Sequence, residues 1–174
     1  FEHQVASHMI WEDKLDYGFS ILKAIHNRYS PGKRNPYNEI ECSDHYSRAM
    51  ASYGAFIAVC GFTYNGPKGQ LGFAPKLMPE NFSAAFTGAE GWGTLQQTQS
   101  ENLQSNSLKI AYGKVNIQEV SLSLSDDKSP KNIEVAINGS LINHKITKTG
   151  HTISVLFNRI ELLKNDKLSI SIHV

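Results

Sequence analysis

Ala49-Met50-Ala51-Ser52-Tyr53-Gly54-Ala55-Phe56-Ile57-Ala58-Val59-Cys60-Gly61-Phe62 is the longest uncharged apolar run in the chain. A helix that crosses a bilayer needs about 20 such residues, so the run predicts a buried helix. Apolar side chains fall on every side of it, and a helix of that kind must be surrounded by other helices. Ala49, Ala51, Ser52, Gly54, Ala55 and Ala58 are small enough to let those neighbours approach closely. The run also divides the sequence. Before it, apolar residues recur every three or four positions; after about Thr63 the period becomes two. The fold class expected is therefore α+β, with helices first and an antiparallel β-sandwich-like region after them.

On the N-terminal side, Val5, Ala6, Met9 and Ile10 share one helical face, and Trp11-Glu12-Asp13 is a short break. A second helix is expected from about Asp13 to Tyr29, with Leu15, Phe19, Leu22, Ile25 and Tyr29 on one side and Lys14, Asp16, Lys23 and Arg28 mainly on the other. Ser30-Pro31-Gly32 ends it. Ser43 is a reasonable N-cap for the third helix, with Asp44 in its first turn and Gly61 as the C-terminal cap. The order is buried helix, amphipathic helix, buried helix, as consecutive inner and outer helices of an α/α barrel would give. Three helices cannot close such a barrel. The buried ones need further partners or must expose an apolar patch.

On the C-terminal side, Tyr64 to Gly69 is a breaker cluster, and Gln70 to Leu77 is a short strand candidate. Phe82, Phe86 and Trp92 lie in a Gly-rich stretch that reads as irregular. Val120-Leu122-Leu124, Ile133-Val135-Ile137, Ile153-Val155-Phe157 and Leu168-Ile170-Ile172 then alternate with polar residues, the mark of half-buried strands. Asn138-Gly139, Thr149-Gly150 and Asn165-Asp166 are turn signals between them. The expected division is residues 1–63 as terminal barrel helices, 64–97 as an irregular or β connection, and 98–174 as the β extension.

Composition sets outer bounds. The chain has 174 residues, 40% hydrophobic and 19% charged, with a formal net charge of +1. Nothing in that balance argues for nucleic acid or an anionic membrane as partner, and no transmembrane segment is expected. Phe1 opens the chain without an initiator Met or signal peptide, so a piece of a longer chain is expected. The compartment is not fixed; the bacterial periplasm or exterior is compatible. Cys42 and Cys60 would stand near opposite ends of one helix, roughly 25 Å apart at 1.5 Å rise per residue, beyond disulfide reach. Two free thiols are expected. Asn81-Phe82-Ser83 and Asn138-Gly139-Ser140 match the glycosylation sequon, a match common by chance.

The densest polar run, Lys33 to Arg48, immediately precedes the buried helix. Glu39, Glu41, Asp44 and His45 cluster there, but their spacing matches no known metal-ligand pattern. No metal or other cofactor is expected. Glu39 and Arg48 together offer acceptors and a fork of donors, suited either to sugar hydroxyls or to a plain ion pair that pins the loop to the helix. On residue types alone the ion pair is the commoner arrangement. Trp11, Tyr37, Tyr46 and Trp92 could stack on sugar rings, though singly each is more often a core or rim residue. His3 and Gln4 could face the same cavity.

Three segments resemble the C-terminal end of the catalytic domain of glycoside hydrolase family 116, which includes bacterial β-glucosidases and non-lysosomal glucosylceramidases. They are Gln4 to Glu12, Arg34 to Cys42 with His45 to Tyr53, and Gly72-Phe73-Ala74-Pro75 with Gly91-Trp92-Gly93. The resemblance covers roughly residues 1–97; residues 98–174 carry no matching motif. It implies an α/α six-hairpin barrel and retaining hydrolysis of β-glucosides. It also implies that Glu39 and Arg48 hold the hydroxyls of the bound glucose, which reverses the preference for a plain ion pair. The nucleophile and acid/base carboxylates of the family lie upstream of Phe1, so no catalytic residue is assigned in this chain. The implied partners are a glucoside substrate and the remainder of the barrel. A different class of function, a non-catalytic carbohydrate-binding or structural β-sandwich module, rests on the β half, whose strands show few clustered aromatics in sequence.

Overall fold

A computed structural model describes residues 1–33, 49–124 and 128–174. The chain is α+β and divides into two compact units, Phe1–Gly61 and Phe62–Val174.

Among the described residues the first unit holds three helices, α1 (Glu2–Trp11), α2 (Leu15–Arg28) and α3 (Ala49–Cys60). Asp13, at φ 59°, turns the chain between α1 and α2. Ala6 and Ile10 are the buried residues of α1. Gly18 lies directly under Ile10: a Cβ there would stand 2.7 Å from Ile10 Cγ1, so only glycine lets α2 come this close. Gly54 plays a similar part between α3 and α1, facing Ser7. Ile10, Ala55 and Ala58 form the centre of the unit, with Leu15, Leu22 and Val59 packed around them. Gly54, Ala55 and Ala58 of α3 thus serve the close approach expected of its small residues. Arg28 pairs with Glu2 at the surface and tethers the end of α2 to the start of α1. Gly61, at φ +56°, ends α3 as expected.

Helix α3 carries no charge, and its large side chains are not all covered. Met50 is 83% exposed, and Tyr53 and Phe56 are also open to solvent, their rings stacked 5.5 Å apart. No helix of the described residues is long and apolar enough to cross a membrane.

Among the described residues the second unit has ten strands: β1 (Thr63–Asn65), β2 (Gln70–Phe73), β3 (Asn81–Thr87), β4 (Gly91–Gln99), β5 (Leu103–Ser123), β6 (Asn132–Ile137), β7 (Ser140–Leu141), β8 (Lys145–Thr149), β9 (Thr152–Leu163) and β10 (Lys167–His173). They form two sheets that share β5. One runs β1-β2-β5-β9-β8 and the other β3-β4-β5-β10-β6-β7. All pairings are antiparallel except β2 with β5, which is parallel. The stretch 64–97, expected to be an irregular or β connection, contributes most of β1 through β4. Phe82 and Phe86 are buried residues of a regular hairpin. The strand expected from Gln70 to Leu77 stops at Phe73, just before Pro75.

Strand β5 organises this unit. Residues 103–113 lie in one sheet and 114–123 in the other. Two register shifts mark its course, one opposite Trp92/Gly93 and one between Ile117 and Glu119. Each changes which parity faces inward. Leu108 and Ile110 are buried before the first shift, Val115 and Ile117 after it, Val120 and Leu122 after the second. A bulge resets the alternation that a strict two-residue period would otherwise carry to the wrong face. Ile133, Val135, Ile153, Val155, Leu168, Ile170 and Ile172 complete the apolar core, as the alternation predicts. Full burial of such side chains contributes about 1.5–3 kcal/mol each.

One end of this core is polar. Gln97, Gln104 and Asn106 are all buried. Gln104 Nε2 donates to Gln97 Oε1 and Asn106 Oδ1, each at 3.3 Å, and to the Ser123 carbonyl at 3.0 Å. Its Oε1 accepts from Gln99 at 2.9 Å, and Gln97 donates to the Pro79 carbonyl at 3.0 Å. Buried amides in water-poor surroundings require such partners.

Candidate functional site

Glu39 and Arg48 lie outside the described residues, as do Tyr37, Glu41, Cys42, Ser43, Asp44, His45 and Tyr46. The structure does describe the other sequence candidates. Cys60 is a buried free thiol, and burial pushes its pKa up to about 11. It is therefore a packed side chain and not a nucleophile. His3 is half-buried on α1, and Gln4 is exposed. Trp11 closes α1, 40% exposed. Asn81 of the first sequon is exposed at the start of β3. Asn138 of the second is engaged: it sits at φ 50° in the β6–β7 turn, donates to Asp166 at 2.8 Å and accepts from the Lys167 N–H at 2.9 Å. The Asn138 bond, with that of the Leu163 N–H, holds the Asp166 carboxyl below the usual carboxylate range.

Trp92 is brought into an arrangement the sequence did not suggest. It pairs across β4 and β5 with Tyr112. The two rings stack with centroids 6.3 Å apart and planes 21° from parallel, and the residues are 50% and 63% exposed. The flanking glycines explain how. At the register shift β5 presses against β4, and a Cβ on Gly93 would stand 1.9 Å from the Lys109 carbonyl oxygen. Gly113, at φ +69°, would put a Cβ 2.1 Å from the Glu90 carbonyl oxygen. The Gly-Trp-Gly signature is thus a close backbone contact with an outward-facing indole between its glycines. The extra residue of the shift, Ala111, breaks the alternation of β5, so Tyr112 falls opposite Trp92. Sequence periodicity does not reveal that pairing.

The outer face of the same sheet continues from this pair. Along β4, Trp92, Thr94, Gln96 and Thr98 alternate with more buried residues. Register rows run across the strands: Thr94 meets Lys109, which meets Lys167; Gln96 meets Ser107, which meets Ser169; Thr98 meets Ser105, which meets Ser171. The last two rows line a concavity of about 340 Å³. Ser107 Oγ donates to Gln96 Oε1 at 3.4 Å. Near the aromatic pair, Lys114 bridges Glu161 at 2.9 Å and Glu90 at 3.8 Å. Its ammonium is held above the usual range, chiefly by Glu161, and the Glu161 carboxyl is held below it, chiefly by Lys114. The face offers an exposed aromatic pair, a row with two cations, and rows of hydroxyl and amide groups.

No family model matches the chain, and no curated protein matches it. Solved structures with a likeness to the chain include two glycosidases. One is Ara127N-Se, a GH127 β-L-arabinofuranosidase from Geobacillus stearothermophilus T6, at TM-score 0.42 and 13% identity, covering 72% of this chain and 18% of that one. The other is an α-L-rhamnosidase from Dictyoglumus thermophilum, at TM-score 0.41 and 13% identity, covering 91% of this chain and 20% of that one. The chain spans about a fifth of the length of either. Similarity at that level sets neither the fold nor the function of this chain.

Proposed function

We propose that this chain is the C-terminal part of a retaining β-glucosidase of the glycoside hydrolase family 116 type, contributing sugar-holding residues and not the catalytic pair. The observation that carries the reading is the run Arg34 to Tyr53, which resembles that family over most of its length. In this reading α1 to α3 are the last helices of an α/α barrel, and Glu39 and Arg48 line the glucose subsite. The uncovered Met50, Tyr53 and Phe56 on a helix without charge support it, because an inner barrel helix needs neighbours on every side.

The chemistry follows from the residue types. A carboxylate accepts hydrogen bonds from two sugar hydroxyls, and a guanidinium donates through its planar fork. Fixing the sugar in this way positions its anomeric carbon. Bond cleavage with retention then requires two carboxyl groups about 5–5.5 Å apart, which this reading places upstream of Phe1. The 174-residue chain by itself is expected to leave an aryl β-glucoside intact. Turnover that copurifies with it through successive columns would sink the assignment of the catalytic pair to another segment.

A further inference from the structure

We infer that the outer face of the β3-β4-β5-β10 sheet binds an anionic glycan, a β-linked oligosaccharide that carries uronate groups. The inference does not rest on the Glu39 and Arg48 reading.

The anchor is the Trp92–Tyr112 pair. Two near-parallel stacked rings, each residue at least half exposed, form an aromatic pair on this face of the sheet. A pyranose with equatorial hydroxyls presents apolar C–H faces that stack on an exposed ring, while its hydroxyls project sideways. The neighbouring row supplies charge. Lys109 and Lys167 are register partners, and cross-strand partners have Cβ atoms about 4.5–5.5 Å apart. Like charges so placed repel, and neither lysine is ion-paired among the described residues. A ligand carboxylate would relieve that repulsion. Lys109 meets Thr94, two residues from Trp92 on β4, so the cations stand roughly 7 Å along the strand from the rings. That places them beside the next part of a chain stacked on the pair. Beyond them, Gln96, Ser107 and Ser169 offer donors and acceptors to further hydroxyls.

The composition of the face selects a sugar over a protein. The core of a protein interface is largely apolar and poor in charge. Here the row next to the two rings holds two lysines. A protein partner would strip water from these groups without repaying the loss; a uronate chain brings hydroxyls and carboxylates that match them.

The test is calorimetric titration of the 174-residue chain with β-1,4-linked tetraglucuronate and with cellotetraose, which differ in the carboxylates. Saturable binding of the uronate is expected at 20 mM NaCl, at least ten times tighter than cellotetraose, with the gap closing at 0.5 M NaCl as screening sets in. Trp92→Ala or Tyr112→Ala should weaken binding at least tenfold. Lys109→Gln with Lys167→Gln should remove the preference for the uronate. No saturable binding, or equal affinity for both sugars at low salt, overturns the proposal. A readout on the unaltered chain guards against variants that fail to fold. There are two tryptophans, and the Trp92 indole N–H resonance, identified by its loss in Trp92→Phe, should move during the uronate titration while that of Trp11 stays; a still Trp92 signal overturns the proposal. Glu39→Ala should leave uronate binding unchanged. Binding lost in Glu39→Ala but kept in the lysine double variant would refute this site while supporting the glucose subsite.

Discussion

The Gln104 side-chain amide donates to the Ser123 carbonyl at 3.0 Å, although the two residues stand at opposite ends of strand β5. Drawn straight at about 3.3 Å per residue, β5 would separate them by roughly 60 Å. The strand therefore folds back on itself, and its halves belong to different sheets. Gln104 closes that fold at the polar end of the core.

Replacing Gln104 with Ala removes the donor to Gln97, Asn106 and Ser123 together. Each loses a hydrogen bond in a buried setting, which costs about 1–3 kcal/mol per group left unsatisfied. We expect a loss of about 3 kcal/mol or more in urea unfolding followed by β-sheet circular dichroism. A loss under about 0.5 kcal/mol would show that the bond does not hold the two ends of β5 together.

The contact at Trp92 predicts a steep contrast between glycines. Gly93→Ala would drive a Cβ to 1.9 Å from a backbone oxygen, so β4 and β5 would have to part. A destabilisation above about 4 kcal/mol, or failure to fold, is expected. Gly139 has φ +84° but open space around it, so Gly139→Ala pays only for the backbone conformation, about 1–2 kcal/mol. Thermal unfolding of the two variants tests this; similar melting temperatures would contradict the contact.

Much of this architecture was legible in the sequence. Alternation located the core of β6, β9 and β10, and the turns at Asn138-Gly139, Thr149-Gly150 and Asn165-Asp166 connect the strands as their residue types require. The helical periods of α1 and α2 were equally plain. The β3–β4 hairpin was not, because its glycines read as breakers when they in fact admit a close strand contact. No sequence pattern marks Gln97, Gln104 and Asn106 as buried, since an amide is buried only when partners distant in sequence satisfy it. Trp92 was a sugar-stacking candidate from the start, but Tyr112 joins it only through a register shift. Glu39 and Arg48 were legible as a motif and lie outside the described residues.

The raised pKa of Cys60 gives a pH dependence with a definite sign. The folded thiol keeps its proton up to about pH 11, whereas an unfolded one releases it near 8.5. Between those values the folded state binds more protons, so the stability contribution present below about pH 8.5 is lost as pH rises toward 11. In a Cys42→Ser background, iodoacetamide at pH 8 should label Cys60 at least tenfold more slowly in the folded chain than in urea. Equal rates would show that the thiol is accessible in the folded helix.

The assignment of Glu39 and Arg48 to the sugar is most directly tested by kcat/KM on an aryl β-glucoside, measured for the complete polypeptide that contains this chain. A hydrogen bond to a charged group contributes about 1.5–3 kcal/mol, so Glu39→Ala should lower kcat/KM by roughly 10- to 150-fold, and Arg48→Ala by a similar factor, with the fold intact by circular dichroism. An unchanged kcat/KM in both variants would contradict the proposed glucose subsite.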